Sequence, residues 1–178
     1  MNLTRIALAT LLAGAAAAGA GCANPDPAAG YTMVSQYRPG IRTVAVPIWD
    51  RGPHEFRRDI EIRIAEALVK HIEATTPYKV VGAARADTLL TGTLKEVEQR
   101  VLTYDPRTGT AREIQIRFVC DFTWKDLRTG QVLVAREDFK VATEYVPESP
   151  LSEDFFQGSE DAANKLARRV VEHFARPW

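Results

Sequence analysis

The chain has 178 residues, of which 46% are hydrophobic and 26% are charged, with 23 basic and 23 acidic side chains. Arg5 is the only charged residue among the first 21, so the rest of the chain carries 22 basic and 23 acidic residues. This near-neutral balance argues against broad nucleic-acid binding, which needs a strongly basic face. The length that remains after the first 21 residues is enough for one hydrophobic core.

Residues 1–21 predict a bacterial signal peptide of the lipoprotein type. Arg5 supplies the positive start, and residues 6–20 form an apolar, alanine-rich stretch that is poor for a membrane span of roughly 20 strongly apolar residues. Cys22 follows where a lipoprotein signal peptidase would leave it as the lipid-bearing first residue. Gly19 stands where such leaders usually carry leucine or another branched aliphatic residue. Ordinary cleavage after Ala20, which would give a soluble periplasmic protein, is therefore an alternative.

Residues 22–39 predict a lipidated N-terminus followed by a flexible tether, because residues 24–30 are rich in proline and small residues. Residues 40–178 then form a single domain. The other of the two cysteines, Cys120, lies on the apolar phase of a predicted strand and is expected in the core. A disulfide with Cys22 is not expected.

The first half of the domain predicts a strand over 41–49, a helix and a short strand over 78–81. The helix is expected to begin near Pro53, with Glu55 in its first turn, and to stop at residues 75–77. Apolar residues recur every four positions and form one stripe: Phe56, Ile60, Ile64, Leu68 and Ile72.

Three strand-like segments follow, over 87–104, 111–125 and 131–145. The first changes phase in its middle, which predicts a β-bulge near Lys95 or Glu96. The second alternates between an apolar and a polar face. The third places four apolar residues in one phase: Leu133, Ala135, Phe139 and Val141.

Two turns share the pattern Asp-x-Arg-Thr-Gly, at 105–109 and 126–130. Aspartate accepts backbone N–H groups within such turns, and glycine adopts the positive φ that closes a hairpin. The three strands are therefore predicted to form an antiparallel meander. Successive turns lie at opposite ends of a meander, which separates Arg107 from Arg128.

A second amphipathic helix closes the chain, with Ser159 as its expected N-cap. The predicted fold class is α+β: a two-layer sandwich with a mixed sheet of about four to five strands that includes the meander. Both helices are expected on the apolar face of the sheet. The polar face is left for water or a partner.

Catalytic and metal-binding patterns are not evident. The three histidines, His54, His71 and His173, have no second ligand at metal-site spacing, and no nucleophile-elbow, P-loop or dinucleotide-binding motif occurs. We therefore predict no enzyme, no metal and no cofactor.

One surface could bind an anionic ligand. Cations on the polar sheet face or near the turns could bind phosphates or carboxylates of a lipid headgroup: Arg107, Arg112, Arg117, Lys125 and Arg128. Ordinary charge alternation on a solvated sheet is the competing interpretation, because Glu113 and Asp121 would offset these charges.

Several segments together resemble the lipopolysaccharide-assembly lipoprotein family, LptE. They are GIRTVAVPI at 40–48, ADTLLTGTL at 86–94, WKD at 124–126, TGQVL at 129–133 and ARRVV at 167–171, preceded by Gly30-Tyr31. The resemblance implies a periplasm-facing outer-membrane lipoprotein, anchored by lipid on Cys22, without enzymatic activity or a cofactor. It implies a large β-barrel translocon, LptD-like, as protein partner and lipopolysaccharide as the transported molecule.

The segment at 86–92 is also similar to other envelope lipoproteins. The alternative is therefore an interaction module that activates a cell-wall synthase or serves in curli-type secretion.

Overall fold

A computed structural model describes residues 35–53, 55, 57–147 and 155–175. The described residues from Tyr37 onward belong to one compact unit. This unit contains six strands: β1 (Thr43–Ala45), β2 (Asp50–Arg51), β3 (Lys79–Val80), β4 (Thr88–Tyr104), β5 (Ala111–Asp126) and β6 (Val132–Tyr145). Its helices are α1 (Ile60–Thr75), α2 (Phe155–Glu172) and a short 3₁₀ turn (Ala83–Arg85).

The sheet is mixed, as predicted. Its hydrogen-bonded order is β3-β1-β4-β5-β6, and β2 pairs with β4 beyond the end of β1. β4, β5 and β6 form the expected antiparallel meander, whereas β1, β2 and β3 make parallel pairs. The segment predicted as one strand over 41–49 is interrupted near Pro47, which has no N–H to donate.

Both helices pack on the same face of the sheet. The even-numbered residues of β5 from Ile116 to Trp124 are buried together with the apolar stripes of α1 and α2 in one core cluster. Gly158 lets α2 approach closely, since a Cβ there would lie 2.8 Å from the Tyr145 ring and 3.0 Å from Ile116 Cδ1. Within the described residues, no helix has the length and apolar character that crossing a bilayer requires. The predicted two-layer arrangement is thus confirmed.

Two neighbouring aromatic stacks lie in this core. Trp49 lies over Gly92 and stacks on Phe122, with ring centroids 6.4 Å apart. Two residues further along β5, Trp124 stacks on Phe174, with ring centroids 4.2 Å apart.

Cys120 is fully buried on this apolar face, and its thiol donates to the Phe139 carbonyl oxygen at 3.6 Å. Burial raises the pKa of the Cys120 thiol to about 12. This fits the expected core role, because an unreactive thiol is one that stays protonated.

The predicted start of the first helix is wrong. α1 begins at Ile60, and Glu55 lies in the preceding loop, 5% exposed. Its carboxylate accepts the N–H of Val97 at 2.7 Å and the N–H of Arg57 at 2.7 Å. The register step from Leu94 to Glu96 confirms the predicted β4 bulge. The hydrogen bond from Val97 therefore connects the loop to the strand just after this bulge.

We expect Glu55→Gln to lower the free energy of unfolding by about 1–3 kcal/mol, because a buried backbone N–H then faces an amide instead of a carboxylate. Urea unfolding followed by circular dichroism measures the change. Glu66→Gln, on the exposed face of α1, is the matched control and should change stability by at most about 0.5 kcal/mol. Equal unfolding midpoints for the two variants would contradict this role of Glu55.

The expected N-cap of the second helix is also wrong. α2 begins at Phe155, so Ser159 lies inside the helix, fully buried. Its hydroxyl donates to the Phe156 carbonyl oxygen at 2.7 Å, which satisfies the buried polar group locally.

The predicted single phase of β6 is interrupted by a second bulge. Cys120 pairs with Phe139, but Phe122 pairs with Arg136, so Glu137 and Asp138 together oppose Asp121. Asp138 adopts a positive φ of 49°, and its N–H donates to the Asp121 carboxylate at 2.8 Å. Phe139 and Val141 therefore face the core, whereas Ala135 pairs with Thr123 and lies on the opposite face. Leu133 is partly buried against the core, beside a further register shift between Trp124 and Lys125.

Candidate functional site

The sheet face that points away from the helices is polar, as the alternation in β5 predicts. We call it the polar sheet face. Its side chains on β5 are Glu113, Gln115, Arg117, Asp121, Thr123 and Lys125, with Val119 as the apolar exception. Neighbouring strands contribute charges of both signs, because β4 and β6 pair with β5 along most of its length.

Arg117 lies at the centre of this face and is already paired. Its guanidinium is 2.9 Å from a carboxylate oxygen of Glu98 on β4 and donates to the Gln115 side chain at 3.4 Å. The pair is partly exposed to solvent, and ion pairs in such positions contribute little to stability. It does offset the charge that Arg117 could offer to an anionic ligand.

Lys125 and Arg128 lie at the end of β5 that leads into β6. The Arg128 guanidinium is 3.7 Å from Asp126 and 4.0 Å from Asp87. Lys125 is exposed, and no ion pair of its ammonium is found within the described part of the chain. Lys125 is therefore the cation of this end that is most available to a ligand.

Arg107 and Arg112 lie at the opposite end of β5, beside the turn from β4. Both are exposed. The 16 residues of β5 span roughly 50 Å at the rise of an extended strand. The five predicted cations thus occupy two ends and the centre of the sheet and do not form one cluster.

The two turns that carry Arg107 and Arg128 have the predicted geometry. Asp105 Oδ1 accepts the N–H groups of Arg107 and Thr108 at 2.8 and 3.1 Å, and Asp126 accepts the corresponding groups of its turn at 2.8 and 3.2 Å. These backbone hydrogen bonds lower the pKa of both carboxyl groups. Gly109 and Gly130 take φ values of 70° and 74°. The arginine at each turn is thus held at a rigid tip.

A charged cluster that the sequence does not reveal connects the two bulges on the polar sheet face. Lys95 Nζ lies 3.1 Å from Asp121 and 2.9 Å from Asp138. The hydrogen bond to Lys95 lowers the pKa of Asp138, and the hydrogen bonds to Asp138 and Asp121 raise the pKa of Lys95. In the sequence, the phase change of β4 at Lys95 is the sign of this cluster. The sequence does not identify the partners Asp121 and Asp138, because the β6 bulge brings them to Lys95.

The described residues contain no cluster of metal-ligating side chains. Over 35–53, 55, 57–147 and 155–175, no group of three or more histidine, cysteine or acidic residues is placed to hold a metal ion. Burial is the main cause that lowers the pKa of His71 and of His173. His54 and the predicted lipidation site, Cys22, lie outside the described residues.

A comparison with protein families decides the family. The model of the lipopolysaccharide-assembly family, LptE, matches residues 41–176, which is nearly the whole of the domain. The chain belongs to the LptE family. LptE proteins are envelope lipoproteins of the lipopolysaccharide-assembly type, and the family is not one of enzymes. A comparison with curated proteins found no match.

Solved structures are similar to this chain at low sequence identity. A protein from Xanthomonas campestris is 15% identical with a TM-score of 0.50, and the match covers 84% of this chain and 88% of that one. Lipoprotein B from Nitrosomonas europaea is 14% identical with a TM-score of 0.49, covering 80% and 88%. A lipoprotein from Caulobacter crescentus is 19% identical with a TM-score of 0.45, covering 75% and 87%.

Proposed function

We propose that this LptE-family protein is an outer-membrane lipoprotein that partners a large LptD-like β-barrel and assists lipopolysaccharide transport to the cell surface. The observation that carries the proposal is the family match over 41–176. In this proposal residues 1–21 are the signal peptide, Cys22 bears the lipid, residues 22–39 form the tether, and 40–178 form one domain. The protein, in this proposal, acts without catalysis or a cofactor and faces the periplasm.

The geometry supports an interaction module. The helices cover the apolar side of the sheet, and the polar sheet face presents partly exposed charged side chains between the two turns. A charged face with few free cations suits a partner that supplies matching polar groups over a broad surface, since complementary charges determine register more than affinity. An interaction module of this kind does not require a deep substrate cleft.

Co-purification from native membranes tests the partner. The tagged chain, extracted in mild detergent, should retain one very large outer-membrane β-barrel in mass spectrometry, and depletion should retain lipopolysaccharide inside the envelope. A penicillin-binding protein in its place would support the cell-wall alternative, and a large homo-oligomer the secretion alternative. Either result would overturn the barrel proposal.

The mass of the mature N-terminus tests the anchor separately. A diacyl or triacyl mass on Cys22 is expected, because stable membrane anchoring needs more than one acyl chain. An unmodified chain beginning at Gly21 would contradict lipidation and leave the fold assignment unchanged.

Charge reversal tests whether the polar sheet face binds lipopolysaccharide. We expect Lys125→Glu to weaken binding by about tenfold, the equivalent of one lost hydrogen bond between charged groups. Arg117→Glu should weaken lipopolysaccharide binding less, because the Arg117 guanidinium is already paired with the Glu98 carboxylate. Binding is measured by calorimetry or surface plasmon resonance with purified lipopolysaccharide.

Arg58→Glu, a charge reversal at an exposed arginine outside the sheet, just before α1, is the control and should leave the affinity unchanged. Unchanged affinity in the Lys125 and Arg117 variants as well would remove these cations from the binding surface.

A further inference from the structure

A cleft lies on the helix side of the molecule, where α1, α2 and the end of β6 meet. Its volume is about 400 Å³. The lining residues are His71, Thr143, Asp161, Asn164, Lys165 and Arg168. Thr143 pairs with Ile116 and so points from β6 toward the helices, a direction in which its neighbours Val141 and Tyr145 are buried and apolar. The cleft is separate from the polar sheet face, because it lies on the other side of the sheet.

Hydrogen-bond donors of several kinds converge on this cleft. Lys165 is fixed there, since its ammonium donates to the Ala142 carbonyl oxygen at 2.7 Å. Arg168, one turn later on α2, is exposed and makes no ion pair within the residues that the structure describes. Thr143 supplies a hydroxyl group and Asn164 an amide group.

The charge of the lining residues is positive. Lys165 and Arg168 contribute two cations against the single carboxylate of Asp161, while His71 adds a ring that can take up a proton. Asp161 also lies four residues before Lys165 on α2, a spacing at which opposite charges attract. Among the lining residues, Arg168 is therefore left without a counter-charge, while Glu172, which follows Arg168 at the same spacing, lies outside the lining.

We propose that this cleft binds a phosphate group, either free or as the headgroup of a lipid. Arg168 would provide the planar, bidentate donor that phosphate oxygens prefer, and Lys165, Thr143 and Asn164 would complete the hydrogen bonds. The site goes beyond the proposed transport function, because it lies on the helix layer and needs no barrel.

His71 provides a direct reporter of occupancy. Burial, and next the charge of Arg168, lowers the pKa of this imidazole, with Lys70 acting in the same direction and Glu172 opposing. Asp161 and Lys165 are the other charged groups facing it from α2. A bound phosphate adds negative charge beside the ring, so the pKa of His71 rises when the cleft is filled.

The test is an NMR titration of His71 in the full mature chain, at constant ionic strength, with inorganic phosphate and with a short-chain phosphatidic acid below its micelle concentration. We expect a saturable shift of the His71 resonances and a higher pKa. Tighter binding of one probe identifies the free or the lipid-borne phosphate. No saturable shift with either probe overturns the proposal.

Two variants of opposite expected effect locate the site. Arg168→Gln should weaken phosphate binding by about tenfold, and Asp161→Asn should tighten it a few-fold. Arg58→Gln, an exposed arginine just before the other end of α1, is the control and should have no effect. Equal weakening by Arg168→Gln and Arg58→Gln would also overturn the proposal, because the effect would then be one of net charge. The shift of the His71 resonances does not depend on co-purification of a β-barrel. A failed phosphate titration would therefore leave the transport proposal unaffected.

Discussion

Gly92→Ala is expected to lower the free energy of unfolding by about 1–3 kcal/mol or more, because it overpacks the core. An added Cβ would lie 2.5–2.7 Å from three ring carbons of Trp49, closer than real side chains approach. Trp49 is buried and its ring stacks on Phe122, the cross-strand partner of Gly92, so the ring has little room to retreat. Urea unfolding followed by circular dichroism gives the change.

Gly82→Ala is the control for this variant, since nothing lies within 4 Å of its added Cβ and its φ of −64° suits alanine. That variant should be neutral or slightly stabilising, because it restricts the unfolded chain. Trp49→Leu should recover part of the loss when it is combined with Gly92→Ala. Additive losses in the double variant would show that the clash with Trp49 is not the cause.

Trp124→Ala is expected to lower the free energy of unfolding by about 3–5 kcal/mol, as for other large aromatic truncations in a core. Trp124 is fully buried, stacks on Phe174 and lies 6.0 Å from the Tyr78 ring, centroid to centroid. It joins the sheet to the end of α2 and to the residue that precedes β3. The resulting cavity would separate those elements.

Trp124→Phe should cost clearly less than Trp124→Ala, since within the described residues the Trp124 indole nitrogen has no hydrogen-bond partner to lose. Tyr104→Ala, with a ring that is 60% exposed, should change stability by at most about 0.5 kcal/mol. Thermal unfolding by circular dichroism compares the three variants. A Trp124→Ala variant as stable as Tyr104→Ala would contradict the packing of this ring in the core.

The regular parts of the fold follow from local patterns in the sequence. The alternation in β5 predicts its buried face, and the paired Asp-x-Arg-Thr-Gly turns predict the meander, because both depend on residues close together in the chain. The phase change at Lys95 likewise predicts the bulge in β4. These features are local, and so they can be read from one sequence.

Two of the departures depend on distant partners. Glu55 is not helical because its carboxylate accepts an N–H from Val97, 42 residues later. The β6 bulge depends on Asp121, which accepts the N–H of Asp138 from the neighbouring strand. The chain pattern near Phe139 contains no separate sign of that contact.

The same limit applies to the candidate sites. Alternation places Arg117 and Lys125 on the polar face, but the register that brings Glu98 to Arg117 and leaves Lys125 available is a property of the folded sheet. The phosphate cleft combines one residue of α1, one of β6 and four of α2. Because these residues are far apart in the chain, no sequence motif links them.

The β6 bulge has a consequence for how the domain can meet other chains. Within the described residues, β6 pairs on one side only, which leaves a long strand edge that could recruit a foreign strand. Asp138 bends that edge with its positive φ, and side chains of Lys165 and Arg136 already donate to the carbonyl oxygens of Ala142 and Ala135. Strand-by-strand polymerisation is thereby disfavoured. Copies of this domain that are crowded together are therefore less prone to seed fibres through this edge.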